Sequence, residues 1–317
     1  MNTLLIRPYA GETDLEAIAN FYNECETVDQ FGYWATVDNL RQSYNSPGFD
    51  PQLDLRLWEN DQNQLVAIAA VDRPTSKDES ESFLGFRVHP QFRDNTLEPE
   101  AIDWGIQRVR QAYPQAEEIL LRSDCRTSQA NRIKLLEEYG FVADRYFFEM
   151  QRDLNQPIPQ PQLPTGFVVR NVKAEEASAW VEMFNQTFID HWNHHDLTLE
   201  EYQHHLKSSN YCPDLDLVAT AKDGTLASFC FSEIHPYDNQ RNGRNQGWIN
   251  VLGTRRGFRQ LGLGRAMLLT GMHRLKDEEM EIAILGVDSK NPSGALKLYE
   301  SVGFQKHHTS ISYVKSL

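Results

Sequence analysis

Residues 248–275 read WINVLGTRRGFRQLGLGRAMLLTGMHRL. Trp248–Thr254 is an apolar run suited to a strand, and Met267–Leu275 places apolar residues at helical spacing. Between them lies Arg259-Gln260-Leu261-Gly262-Leu263-Gly264-Arg265, a tight turn built on two glycines. Gly262 and Gly264 let the backbone approach a ligand closely. The start of the following helix offers unpaired N–H groups and the positive end of the helix dipole. The pattern predicts an anion site suited to a pyrophosphate. A glycine pair before a helix is by itself often only a turn, so the surrounding chain has to decide.

The surrounding chain repeats itself. Val88-His89-Pro90-Gln91-Phe92-Arg93 lies over Thr254-Arg255-Arg256-Gly257-Phe258-Arg259 at an offset of 254 − 88 = 166. Leu135–Phe141 (LLEEYGF) lies over Leu298–Phe304 (LYESVGF) at 298 − 135 = 163. Two matches at nearly one offset indicate a duplicated unit. Both halves open alike, with a strand (Leu4–Pro8; Phe167–Asn171) and then a helix with apolar residues at Leu15, Ile18, Ala19 and Tyr22, or Ala177, Trp180, Val181 and Phe184. Further strands are expected at Leu65–Val71 and Thr225–Ser232. Between the halves, Asn155–Thr165 carries four prolines and no charge, which favours an extended connector. The expected domains are therefore 1–154, a linker at 155–165, and 166–317.

Length and composition agree with two soluble globular units. The chain has 317 residues, 40% of them hydrophobic and 11% aromatic, with no apolar run approaching the ~18 residues of a membrane span. The N-terminus shows no secretory pattern, so a cytoplasmic location is expected. Cys25, Cys125, Cys212 and Cys230 are scattered without a CxxC pair, which fits reduced packing residues. A net charge of −14 opposes phosphate backbones, so neither nucleic acid nor membrane is an expected partner. The same acidity suits a cationic small molecule, and it equally suits a merely soluble surface.

The pattern R-x-x-G-x-G after a strand, followed by Asn291–Phe304 (NPSGALKLYESVGF), resembles the GNAT acetyltransferases. The worn first-half copy extends the resemblance over nearly the whole chain, in the layout of tandem GNAT proteins similar to mycothiol synthase. Phe229–Pro236 and Val251–Thr254 carry the closest local likeness. The resemblance implies an α/β chain of the α+β type, with two tandem GNAT folds, each a mixed, mainly antiparallel sheet flanked by helices. It implies acetyl-CoA as cosubstrate, with Leu252, Gly253 and Thr254 along the pantetheine arm. Arg259, Gln260, Leu261, Gly262, Leu263, Gly264 and Arg265 would hold the pyrophosphate. Asn291 is carried over as a further binding residue, one position further from Tyr299 than in the family. Tyr299 would protonate the departing thiolate, a task for which a phenol with pKa about 10 is suited.

Two positions depart from the pattern of mycothiol synthase. Trp248 stands where that enzyme carries a Glu base, and Glu233 stands where it carries a Lys. Glu233 is thus a candidate to hold an ammonium group or take its proton, against the alternative of a solvent-facing strand-end carboxylate. His235, ahead of Pro236, is the lesser candidate. In the first half, Thr96 and Glu98 replace the loop glycines and Leu136 replaces the tyrosine, so catalysis is expected only in the second half. His191, His194 and His195, with His204 and His205, have helix-like spacing, but no HExxH accompanies them and no metal is expected. Trp180, Phe184, Phe188 and Trp192 form a stripe at helical spacing that reads as core or cleft lining. The expected function is acetyl-CoA-dependent N-acetylation of a small, cationic amine by a monomer or homodimer. A non-catalytic acyl-CoA-binding module and a peptide or protein N-acetyltransferase stay open beside it.

Overall fold

The computed structural model describes residues 4–74, 80–94, 96–192 and 194–317. Asn95, in the first-half counterpart of the glycine loop, lies outside them, as do residues 1–3 of the N-terminal stretch. The chain forms two compact units, Met1–Arg145 with Ser310–Leu317, and Tyr146–Thr309.

The first half runs β1 (Leu5–Pro8), α1 (Glu12–Asp29), α2 (Val37–Tyr44), α3 (Pro51–Asp54), β2 (Leu55–Glu59), β3 (Leu65–Asp72), β4 (Glu81–Val88), α4 (Leu97–Ala112), β5 (Leu120–Arg126), α5 (Ala130–Glu138) and β6 (Val142–Asp153). The second runs β7 (Phe167–Asn171), α6 (Ala177–Phe188), α7 (Leu199–His205), β8 (Asp216–Ala221), β9 (Leu226–Ile234), α8 (Pro236–Asn242), β10 (Gln246–Thr254), α9 (Leu263–Asp277), β11 (Ile282–Asp288), α10 (Ala295–Ser301) and β12 (Gln305–Ser316). The expected opening strand and helix of each half, and the strand, glycine turn and helix of the second, are present.

In the first unit β1 to β5 lie side by side, antiparallel except for β4 and β5, and Ser310–Ser316 of β12 pairs with β5. In the second unit β7 to β11 repeat that arrangement with β10 and β11 parallel, and Phe147–Asp153 of β6 pairs with β11. Each unit therefore takes its last strand from the end of the other half of the sequence. The units divide at 145/146 and 309/310, not in the proline-rich stretch. That stretch is held within the second unit: Ile158 packs on its core, and the Pro159 carbonyl lies 3.2 Å from His273 Nε2 on α9.

The second sheet buries both faces. Phe229 packs on one side with Trp180, Met183 and Tyr202 from α6 and α7, and Cys230 packs on the other with Met267, Met272 and Leu275 from α9. Full burial of a side chain such as Phe229 is worth about 1.5–3 kcal/mol. The aromatic stripe supplies much of the first layer, since Trp180–Phe184 and Phe184–Phe188 ring centroids are 5.4 and 4.8 Å apart. Trp192 leaves the stripe, because α6 ends at Phe188, and its ring meets Phe147 at 5.6 Å.

Candidate functional site

The parallel pair β10 and β11 is joined only at Gln246–Trp248, opposite Ile282–Ile284. Beyond that point β10 continues on β9 as far as Thr254, while β11 continues on β6 as far as Asp288. The two strands splay, and the edge of residues 250–254 that faces β11 has no strand partner among the described residues. A bulge between Ile249 and Val251 accompanies the opening. It puts Asn250 and Val251 on one face, for Val251 packs with the α6 layer and Asn250 donates to Glu233. Leu252 faces the opposite layer.

Gly253 is fixed by space: a Cβ there would lie 2.5 Å from Thr187 Cγ2 and 2.6 Å from the Phe229 ring. Its carbonyl accepts from Ser228 Oγ at 2.6 Å, and Ser228 Oγ also meets Thr254 Oγ1 at 3.0 Å. The loop beyond turns through Gly257 (φ 87°), Gln260 (φ 64°) and Gly262 (φ 90°). Gly262 caps α9 with no side-chain hydrogen bond, and the first turn of α9 carries no acidic residue. The N–H groups of that turn therefore receive no side-chain cap among the described residues. A Cβ on Gly262 would enter open space, and one on Gly264 would approach Thr254 Oγ1 at 3.5 Å. The cradle fits a pyrophosphate on two counts, bare donors and room at the glycines.

The loop arginines are anchored to α6 and the residues just after it. Arg259 donates to the carbonyls of Thr254 (3.2 Å) and Thr187 (2.7 Å) and lies 3.3 Å from Asp190. Arg256 also pairs with Asp190, and Arg255 with Glu182 at 2.8 Å. Arg265 donates to Ser301 Oγ on α10 at 2.8 Å. Leu261 is exposed and Leu263 is buried. Asn291 sits in the turn after β11, its Oδ1 accepting from the Ser293 amide at 2.9 Å.

Tyr299, on α10, is buried to 8% exposure, and its hydroxyl makes no hydrogen bond to the described residues. Burial pushes its pKa up to about 12, with the nearby Cys230 thiol adding to the rise. It stays protonated across the neutral range and can give a proton, not take one.

Glu233 is not a solvent-facing carboxylate, being 7% exposed. It stands directly opposite Trp248, the last β10 residue paired with β11, so it lies beside the apex of the splay. The two positions that depart from the mycothiol synthase pattern are therefore cross-strand partners. Glu233 Oε2 accepts from Asn250 Nδ2 and lies 3.5 Å from His235 Nε2, and Oε1 lies 3.6 Å from His205 Nε2. Asp238 Oδ2 is 3.6 Å from His235 Nδ1. Burial pulls the His235 pKa down, but Asp238 and Glu233 outweigh it and raise it to about 9. His191, His194 and His195 follow the end of α6 and are not on a helix. A cavity of about 700 Å³ lies elsewhere, near the N-terminal ends of β10 and β11, with Tyr211, Asn239, Arg244 and Glu278 in its wall.

The first unit has the same splay, since β4 and β5 pair only at Glu81–Phe83 and Leu120–Arg122. There the gap is bridged. Arg132 on α5 donates to the Phe86 carbonyl of β4 at 2.9 Å and the Asp124 carbonyl of β5 at 3.2 Å, with its guanidinium 3.8 Å over the Phe86 ring. At the repeat offset of 163 the counterpart of Arg132 is Ala295 (132 + 163), which cannot bridge. The first turn of α4 carries Glu98 and Glu100, opposing an anion.

Residues 177–304 match the profile of the acetyltransferase (GNAT) family. The matched residues lie within the second unit. Mycothiol acetyltransferase of Acidothermus cellulolyticus is 30% identical over 183 residues, 55% of this chain and 55% of that protein. Mycothiol acetyltransferase of Nocardiopsis dassonvillei is 26% identical over 335 residues, 99% of this chain and 96% of that protein. Relatives at 29–30% identity are thus matched over only 55–60% of their own length. The crystal structure of a GCN5-related N-acetyltransferase from Sphaerobacter thermophilus superposes with a TM-score of 0.75 at 23% identity, covering 99% of this chain and 95% of that one. The GNAT fold thus extends beyond the matched domain, and the two units are tandem GNAT folds. Sequence reasoning missed Arg132 and Asn250: an arginine on a helix and an asparagine in a strand carry no signal until the splay and the bulge are seen.

Proposed function

We propose that the second unit transfers the acetyl group of acetyl-CoA to the nitrogen of a small, cationic amine. The observation that carries this reading is the bare, glycine-capped N-terminus of α9 beside the splay of β10 and β11. The amides of the first α9 turn would hold the pyrophosphate, and the unpaired edge of Leu252–Thr254 would hold the pantetheine arm. Acetyl-CoA supplies the activated acyl group. Tyr299 holds a proton at its hydroxyl for the departing thiolate.

The preference for a cation rests on charge at the splay apex. The buried Glu233 carboxylate lies beside that apex, 3.5 Å from His235 Nε2 and 3.6 Å from His205 Nε2. An exposed pair would contribute little, whereas a carboxylate as buried as Glu233 acts at lower effective dielectric.

The test is thiol release from acetyl-CoA by the purified chain, against an amine panel that includes polyamines, amino sugars and the deacetylated counterpart of mycothiol, after which the relatives are named. The reading expects amine-dependent release, fastest with a cationic acceptor. Release no faster than hydrolysis with every amine overturns the activity. Preference for an uncharged or anionic acceptor overturns the substrate class alone.

A further inference from the structure

We infer that His205 is the proton acceptor for the incoming amine and that Glu233 positions it, an inference that rests on the acetyl-transfer reading above. The face from which an acceptor arrives follows from the strand order of side chains. On β9, Cys230 and Ser232 point toward α9, where a Cβ on Gly271 would meet the sulfur of Cys230 at 2.5 Å and Ser232 Oγ at 3.7 Å. Phe231 and Glu233 point the other way, toward α7. The bulge turns Asn250 to that same face. The glycine loop and Tyr299 belong to α9 and its layer, so the acceptor is assigned to the α7 side, where Glu233, Asn250 and His205 meet.

On that side Glu233 cannot itself serve as a free base. Its Oε2 is taken by Asn250 and faces His235, its Oε1 faces His205, and its side chain is 9% exposed. His235 is charged at neutral pH by its two carboxylates and has no vacancy for a proton. His205 differs from both. Its side chain is 42% exposed, and its ring is held edge-on by Phe231 at 4.9 Å and by Tyr211 at 6.2 Å. With Nε2 toward Glu233, the carboxylate favours the tautomer protonated there, which leaves the lone pair on Nδ1. Nδ1 has no partner among the described residues.

The step balances. The amine reacts as its free base, its ammonium proton having passed to solvent; its lone pair attacks the thioester carbonyl and the N–C bond forms. His205 Nδ1 takes the proton that this nitrogen must lose, the C–S bond breaks with its electron pair on sulfur, and Tyr299 gives the thiolate a proton. Solvent carries the net proton from His205 back to Tyr299 between turnovers.

The experiment uses the full chain with acetyl-CoA and the best amine of the panel. The parent is measured first: absence of thiol release overturns the acetyl-transfer reading and this inference with it. Given parental activity, His205→Ala is expected to lose roughly 10²-fold or more in kcat at unchanged KM for acetyl-CoA, and added imidazole to restore part of it. Imidazole should not help Tyr299→Phe. Glu233→Gln, which keeps the shape, should lose less than His205→Ala. Parental kcat in His205→Ala overturns the inference, as does a loss that imidazole leaves untouched. A Glu233→Gln loss exceeding that of His205→Ala assigns the base to Glu233 instead.

Discussion

Tyr299 illustrates how burial sets a chemical role. A phenol pushed up to about 12 is protonated throughout the neutral range, as a proton donor must be, and Tyr299→Phe is expected to lower kcat by roughly 10²-fold with the Kd for acetyl-CoA nearly unchanged. Stopped-flow turnover beside calorimetric binding separates the two quantities, and equal loss in both would make Tyr299 a packing residue. Asp216 is a second buried acid, 1% exposed, accepting from Tyr211 at 3.2 Å and lying 3.5 Å from Tyr202. Desolvation raises its pKa from 3.8 to about 6 against those hydrogen bonds. Because the folded value exceeds the unfolded one, its stabilising contribution is full below about pH 4 and is lost as pH rises through about 6. Melting of the second unit should therefore show a component that strengthens on acidification from pH 7 to 5, and Asp216→Asn should remove it. The lysine-to-glutamate departure at 233 was legible as a residue identity, but its burial and its two imidazole neighbours follow from tertiary packing that no spacing in the chain records.

At the scale of elements, the strand and helix about the glycine turn were legible because an apolar run gives way there to apolar residues at helical spacing. The splay was not. Parallel pairing that ends at Trp248 and Ile284 depends on where β9 and β6 hold their partners, a matter of long-range register. In the splay of the first unit Arg132 satisfies a carbonyl on each strand. Burial holds that guanidinium down at about 10, so it is still charged at neutral pH. Arg132→Ala should destabilise the first unit by about 1–3 kcal/mol, the typical effect of leaving such groups unpaired. It should also speed hydrogen exchange in residues 84–88 and 122–126, while acetyl-CoA turnover in the second unit stays parental. Unchanged exchange there would mean the gap is closed by something other than this side chain.

At the scale of the whole molecule, duplication was legible in two short motifs, whereas the exchange of terminal strands was not, because a strand's sequence does not name its partner. The proline-rich stretch looked like a boundary, yet β6 precedes it and belongs from Tyr146 onward to the second unit. Deleting Ser310–Leu317 should therefore damage the unit at the opposite end of the chain. It removes the strand beside β5 and takes Ile311 and Tyr313, at 5% and 2% exposure, out of the first core. Two such side chains and a strand ladder are worth several kcal/mol, comparable to a domain's net stability of about 5–15 kcal/mol. Limited proteolysis of the truncated chain should cut first within residues 4–145, and cutting confined to the second unit would count against the assignment. The central claim, one working acetyl-CoA site per chain at the start of α9, is tested most directly by calorimetric titration of the parent and of Gly262→Val. A valine at φ 90° is strained and fills the open space at the cradle. The account predicts a stoichiometry of one for the parent and loss of most binding in the variant; a stoichiometry of two, or parental affinity in Gly262→Val, would contradict it.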